Sequence, residues 1–234
     1  MIKRTIKAII WDLDGTLIHF KINSIKARRV AIRVLKNSGI PRKSLSVKKP
    51  ILENVKIARE IFKKEGFDSQ KITEIMTHVN ESIILVEYKA AIKASLIQGI
   101  DKVLKFAKQK NLKQAIFTYN TYNNAKLSLE TAGIDNYFEV IAGRDNVKNL
   151  KPHPDHIIYI CEKLNLSPNE IVIIGDSGRD IEAALQVGAY SIALNTKLPI
   201  LLDRESFKKA DKIIEPNEIP SEIIETLKKT ILIE

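Results

Sequence analysis

The stretch Ile9-Ile10-Trp11-Asp12-Leu13-Asp14-Gly15-Thr16-Leu17 decides how the rest of this chain is read. With Ile6 and Ala8 ahead of it, the apolar run reads as a strand buried on both faces, as in a parallel sheet, and Gly15 permits a sharp turn out of it. Asp12 and Asp14 then stand at the carboxyl end of a strand, the edge at which open α/β sheets bind ligands. Read alone, Asp-Leu-Asp-Gly-Thr is equally well a strand closed by ordinary turn residues. A calcium loop fits poorly, because Gly15 follows Asp12 too soon for the EF-hand spacing and no glutamate closes the loop.

The chain has 234 residues, 44% of them hydrophobic, enough for one large domain or for a core with an insertion. Lys3 and Arg4 precede the apolar run, but Asp12 and Asp14 cut it too early for a signal peptide, and no segment has the length of a membrane span. Cys161 is the single cysteine, so an intramolecular disulfide and a thiolate zinc cluster are excluded, and a reducing cytoplasm is the expected location. The net charge of +10 is concentrated: residues 19–95 hold 17 Lys and Arg against 7 Asp and Glu, and the remainder holds 21 of each sign.

That basic segment reads as helical. Apolar spacing predicts helices over 24–37, with Ser24 as N-cap, over 51–64, and over 69–93, the last long or broken. In the second, Leu52, Val55, Ala58, Ile61 and Phe62 are expected to face inward; the third buries Ile72, Ile75, Met76, Val79 and Ile83. Residues 41–50, bounded by prolines, read as an exposed linker. From Gly99 onward strands alternate with helices: helix 100–110, strand 114–117, helix 122–132, strand 139–142, helix 154–164, strand 171–174, helix 179–187, strands 190–194 and 212–214, and helix 221–229. The architecture this predicts is an α/β core with a Rossmann-like parallel sheet, residues 1–18 and 96–234. An all-helical cap, residues 19–95, is inserted after the first strand and so starts beside Asp12 and Asp14.

A second aliphatic strand runs into acids at Val172-Ile-Ile-Gly-Asp176-Ser-Gly-Arg-Asp180. Asp176 falls at the strand tip and Asp180 one helical turn later, near the same sheet edge. Gly-Asp-Ser-Gly also occurs around the nucleophile of trypsin-like proteases, but that chemistry needs an all-β barrel and a triad histidine, whereas Ser177 sits in a βα unit. Carboxylates gathered at one edge repel one another, and a divalent cation relieves this; a few aspartates, with room for waters and phosphate oxygens, suit Mg²⁺. Thr118, at the end of the strand Ala115-Ile-Phe117, could donate to a phosphoryl oxygen, or equally cap the next helix. Lys151, in Leu150-Lys-Pro-His-Pro-Asp155, offers a positive charge, or is one more solvated lysine.

As an ordered set, Asp-x-Asp-Gly-Thr, an apolar strand ending in Thr118, Lys151-Pro152 and Gly-Asp-x-x-x-Asp closely resemble the four motifs of the haloacid dehalogenase superfamily of phosphohydrolases. The match is nearest to the phosphoglycolate-phosphatase-like branch, whose helical cap follows the first motif. The resemblance implies that Asp12 is the nucleophile, forming an aspartyl phosphate, and Asp14 the acid and base. It implies that Thr118 and Lys151 hold phosphoryl oxygens, and that Asp12, Asp14 (through its backbone carbonyl), Asp176 and Asp180 serve the metal. The sequence departs from the family pattern at Ile18, His19 and Phe20, at Gln98, and at Tyr119, where asparagine is frequent; Asn120 is one place on. These positions lie where substrate is selected, and the retained Asp14 argues against dehalogenase chemistry.

The expected function is Mg²⁺-dependent hydrolysis of a small phosphorylated metabolite, with no membrane partner. A phosphomutase on the same machinery is the alternative, and an inactive anion- or nucleic-acid-binding protein is the alternative of another class. Residues 19–95 hold only Phe20, Phe62, Phe67 and Tyr88 as aromatics, which disfavours nucleic acid.

Overall fold

Strands β1 (Ala8–Trp11), β2 (Lys113–Phe117), β3 (Val140–Ala142), β4 (Ile171–Gly175), β5 (Tyr190–Leu194) and β6 (Lys212–Ile214) form one sheet in the computed structural model. It describes residues 5–19, 22–196 and 204–231, so Lys3, Arg4 and Phe20 lie outside the described residues. All pairings are parallel, in the order β3-β2-β1-β4-β5-β6. The chain builds outward from β1 in one direction and, from β4, in the other. The reversal between β1 and β4 opens a crevice at their carboxyl ends, the usual ligand position in such sheets.

Apolar residues fill both faces of the central strands because helices cover both sides. Ile9 and Trp11 join Ile116, Val172 and Ile174 in one core layer, against helices α4 (Ile100–Gln109), α5 (Tyr122–Ala132) and α9 (Ser221–Ile231). Ala8 and Ile10 face the other way, joining Ala115, Phe117, Ile171 and Ile173 under α6 (Asp155–Leu164) and α7 (Gly178–Val187). The period of two along each strand is intact, but both of its phases are hydrophobic.

By contacts the chain divides into two compact units, Met1–Phe20 with Lys93–Glu234, and Lys21–Ile92. In the first unit, the segments that leave and rejoin it run antiparallel: Ile97 N donates to Leu17 O and His19 N to Ser95 O, each at 2.9 Å. The second unit is three helices, α1 (Ser24–Asn37), α2 (Ile51–Lys64) and α3 (Ser69–Ala91), around Ala31, Leu35, Ala58, Phe62, Ile72, Ile75 and Val79. Helix α3 is long and unbroken, with Asp68 as its N-cap.

Several local expectations are corrected. Asn23, not Ser24, caps α1, its side chain accepting from Lys26 N at 2.8 Å. Leu52 is 63% exposed, because Ile51, roughly 100° away around the helix, takes the inward face with Val55 and Phe62. Residues 41–50 join α1 to α2 and are mostly exposed, as expected, but they are held in place. A 3₁₀ turn over Arg42–Ser44 leads to buried Leu45, and the amide of Asn54, itself 1% exposed, bonds both the N–H and the carbonyl of Ser46 at 2.9 Å. Pro154 precedes α6 rather than entering it. A short helix α8 (Arg204–Phe207), too brief to show a period, is additional.

Candidate active site

The register sets the site. Trp11 is level with Ile116 on one side and Ile174 on the other, and Asp12 N continues the ladder onto Ile174 O at 2.8 Å. Asp12, Thr118 and Asp176 therefore emerge from neighbouring strands within one residue of the same level. Gly15 (φ +92°) then takes the left-handed turn that a residue with a side chain adopts only under strain, and its N–H donates to Ile18 O at 2.7 Å.

Lys151, on the segment between β3 and α6, is 2% exposed rather than solvated. Its Nζ donates to Asp12 Oδ1 at 2.5 Å, to Asp180 Oδ1 at 2.7 Å and to the carbonyl of Phe117 at 3.1 Å, so all three of its hydrogens are used. Burial alone would lower the pKa of this ammonium, but the carboxylates of Asp12 and Asp180 outweigh it and hold the group charged well above the usual lysine range. The other oxygen of Asp180 accepts from Ser177 N at 2.9 Å and Ser177 Oγ at 2.5 Å, a capping box at the start of α7. The hydroxyl of Ser177 is thus part of a helix cap on a parallel sheet, in no way a protease nucleophile. Gly175 makes room for this: a Cβ there would lie 2.5 Å from Asp180 Cβ.

Asp14 has a different environment. It is partly exposed, and its Oδ2 accepts from Asn120 Nδ2 at 2.6 Å. Asn120 was legible in the sequence only as an asparagine displaced by one from the family position. Thr118 is 1% exposed and its Oγ1 accepts from Asn120 N at 3.1 Å, whereas the cap of α5 is Thr121. Tyr119 lies beside the lysine segment: its hydroxyl donates to Lys151 O and accepts from Arg179 Nη1 at 3.1 Å, and its own carbonyl accepts from Arg144 Nη1 at 2.7 Å. Nothing in the sequence reading pointed to Arg144 or Arg179.

Asp12, Asp176 and Asp180 each offer a carboxylate oxygen within 4.8 Å of the others, and all three are buried. An all-oxygen, carboxylate-rich donor set of this kind fits a hard divalent cation. One ammonium against three close carboxylates leaves the pocket net negative, which a cation relieves.

His156, on the first turn of α6, was not singled out in the sequence. It is fully buried, edge-on to Phe117 at 6.5 Å between ring centres, and neither ring nitrogen has a hydrogen bond of normal geometry. Burial, with the charge of Lys151 behind it, lowers its pKa from 6.5 to about 4, against the opposing pull of the Gly143 backbone, Asp155 and Asp180. The unfolded chain therefore binds a proton that the folded chain refuses between pH 6.5 and 4, and stability is lost as pH falls through that window. The expected loss from this group is about 3 kcal/mol, read as the difference in urea midpoints between wild type and His156→Leu from pH 7 to pH 4. A difference that stays constant with pH would show that the imidazole does not titrate there. Burial also pushes the thiol of Cys161 up to about 11, aided by Glu170 and Glu162, so it is no nucleophile at neutral pH.

Comparison with known proteins identifies the family. The family model described as haloacid dehalogenase-like hydrolase matches residues 9–194. The chain is 29% identical over 195 residues to the phosphorylated carbohydrates phosphatase of Thermotoga maritima, covering 80% of this chain and 83% of that one. A shorter match, 41% over 66 residues, is to the phosphoglycolate phosphatase of Escherichia coli and spans 28% of this chain and 26% of that enzyme. Among solved structures, β-phosphoglucomutase from Clostridium difficile has the same fold, with a TM-score of 0.69 at 22% identity over 98% of this chain and 100% of that one. No helix of the described residues is long and apolar enough to cross a membrane. With the family model spanning β1 to β5 and the strand-end carboxylates assembled around one buried lysine, the chain belongs to the haloacid dehalogenase-like hydrolase family.

Proposed function

We propose that this protein is a Mg²⁺-dependent phosphatase that hydrolyses a small phosphate monoester through an aspartyl phosphate on Asp12. The observation that carries the reading is the lysine ammonium shared between Asp12 and Asp180 inside a three-carboxylate cluster. It holds the Asp12 carboxylate in place beside a positive charge, as an attacking group requires. The small ester is supported by the names of the two relatives, a phosphatase of phosphorylated carbohydrates and one of phosphoglycolate. In this reading residues 1–18 and 96–234 are the catalytic core and residues 19–95 a helical cap.

Asp12 attacks phosphorus while the hydroxyl of Thr118 and the ammonium of Lys151, which exchanges one of its three hydrogen bonds for a phosphoryl oxygen, hold the transferring oxygens. Asp14, oriented by Asn120, donates its proton to the departing alkoxide. The same carboxylate, now ionised, takes a proton from the water that attacks phosphorus of the acyl phosphate, releasing inorganic phosphate and restoring Asp12. Asp12, Asp176, the backbone carbonyl of Asp14 and, with Lys151 already on it, Asp180 would hold Mg²⁺, which when bound neutralises charge on the phosphoryl group.

The test is phosphate release from a panel of phosphorylated sugars and small acids, with Mg²⁺ and after chelation. Turnover that needs Mg²⁺ supports the reading; the absence of turnover on every ester, or full activity in excess EDTA, overturns it. Isomerised sugar phosphate without free phosphate would mark a mutase instead. Asn120→Ala is expected to lower kcat about 10- to 100-fold with little change in KM, since it orients the proton donor without touching the phosphoryl group. An equal loss in KM would place Asn120 in substrate binding.

A further inference from the structure

The helical unit carries a concave basic site whose lining shares no residue with the Asp12 cluster. Arg29, Arg33 and Lys36 recur at spacings of four and three along α1 and so share one face, and Arg42 meets them from the 3₁₀ turn. They line a groove of about 600 Å³ together with the apolar side chains of Ile32, Leu45 and Val47. No carboxylate lines it, and among the described residues none of the four cations is in an ion pair. Like charges at helical neighbour positions oppose the helix, and a bound anion is what would turn that repulsion into attraction.

The walls are set before any ligand arrives. Arg28 Nη1 donates to Val47 O at 3.1 Å, tying the far end of the turn to α1. Asn54 holds the next segment through both backbone groups of Ser46, and further through the carbonyls of Lys49 at 3.2 Å and Pro50 at 3.1 Å. A fixed wall lowers the ordering cost of binding.

We propose that this groove binds a small molecule carrying two or more phosphate groups, with its carbon skeleton against the apolar lining residues. Three arginines present planar donor forks suited to phosphate oxygens. The volume lies within the range of small-molecule sites, about 300–1,000 Å³. A single-stranded nucleic acid would call for an extended track with aromatic stacking surfaces, and no aromatic side chain lines the groove. Every lining residue belongs to the helical unit and none to the Asp12 cluster, so the proposal does not depend on which ester that cluster hydrolyses.

The test is a calorimetric titration of the full chain with inorganic tripolyphosphate, at low salt and with EDTA present. One saturable event is expected, with orthophosphate at least about tenfold weaker. Arg33→Gln on α1 and Arg42→Gln on the turn should each weaken tripolyphosphate about tenfold, and Asp12→Asn should leave it unchanged. Both arginines are exposed and lie on separate elements, so a folding defect in one variant does not compromise the other. The proposal is overturned by the absence of saturable binding, by unchanged affinity in both glutamine variants, or by loss of binding in Asp12→Asn. It is equally overturned if a single-stranded oligonucleotide with as many phosphates binds more tightly than tripolyphosphate through the same arginines, which would make the groove a nucleic-acid contact.

Discussion

An Asp12→Asn variant is expected to lose kcat by a factor on the order of 10⁴ or more, the scale seen when an attacking group is removed from a set that acts as a unit. The amide oxygen of asparagine can still accept from Lys151 Nζ, so the fold should survive and the loss should be chemical. Hydrolysis of an aryl phosphate with Mg²⁺ measures it. Mass spectrometry of acid-quenched wild type during turnover should find phosphate on the peptide containing Asp12 and on no other. Retained turnover, or phosphate on a different residue, would remove Asp12 from the role of nucleophile and the proposed reaction with it.

Lys151→Met is expected to fail in two ways at once. In the proposed reaction it removes the cation that holds the transferring group, and it leaves Asp12 and Asp180 buried without their counter-charge. Breaking a buried pair from one side costs about 3–5 kcal/mol, far more than the loss of a surface ion pair. Urea unfolding in EDTA at pH 7 should show that loss. Added Mg²⁺ should restore part of it, because a cation bound only by the folded chain stabilises by mass action. The wild-type contribution has a definite sign. A lysine whose folded pKa is raised from 10.5 stabilises fully below its unfolded value and loses that contribution only as pH climbs beyond it. A methionine variant as stable as wild type in EDTA would show that the three-way contact of Lys151 has no energetic weight.

The sheet was legible because the strands that carry it are uninterrupted aliphatic runs. Ile171–Gly175 and Ala8–Trp11 are buried along their whole length, and such runs bounded by glycine and aspartate leave little else to be. Helix caps and short turns were harder. Asn23 displaced Ser24 as a cap because both types compete for that position over one residue, and only the path of the incoming chain decides. Residues 41–50 looked like solvent-exposed chain because lysine, serine and proline dominate. What anchors them is one buried asparagine eight residues after Ser46, a contact with no periodic trace. His156 and Arg179 were invisible for the same reason: a single residue carries no pattern until something is placed against it.

The order of the motifs determined by itself the α/β class, the strand ends that bear acids, and the family. Those properties follow from local chemistry repeated along the chain: periodicity, turn residues, and carboxylates at fixed offsets. The tertiary structure alone decided that Lys151 gives all three hydrogens to Asp12, Asp180 and the Phe117 carbonyl, and that the side chain of Asp14 accepts from Asn120. Each of these is a meeting of groups far apart in sequence, where the energy depends on distance and burial, and neither is written in the spacing of residues along a chain.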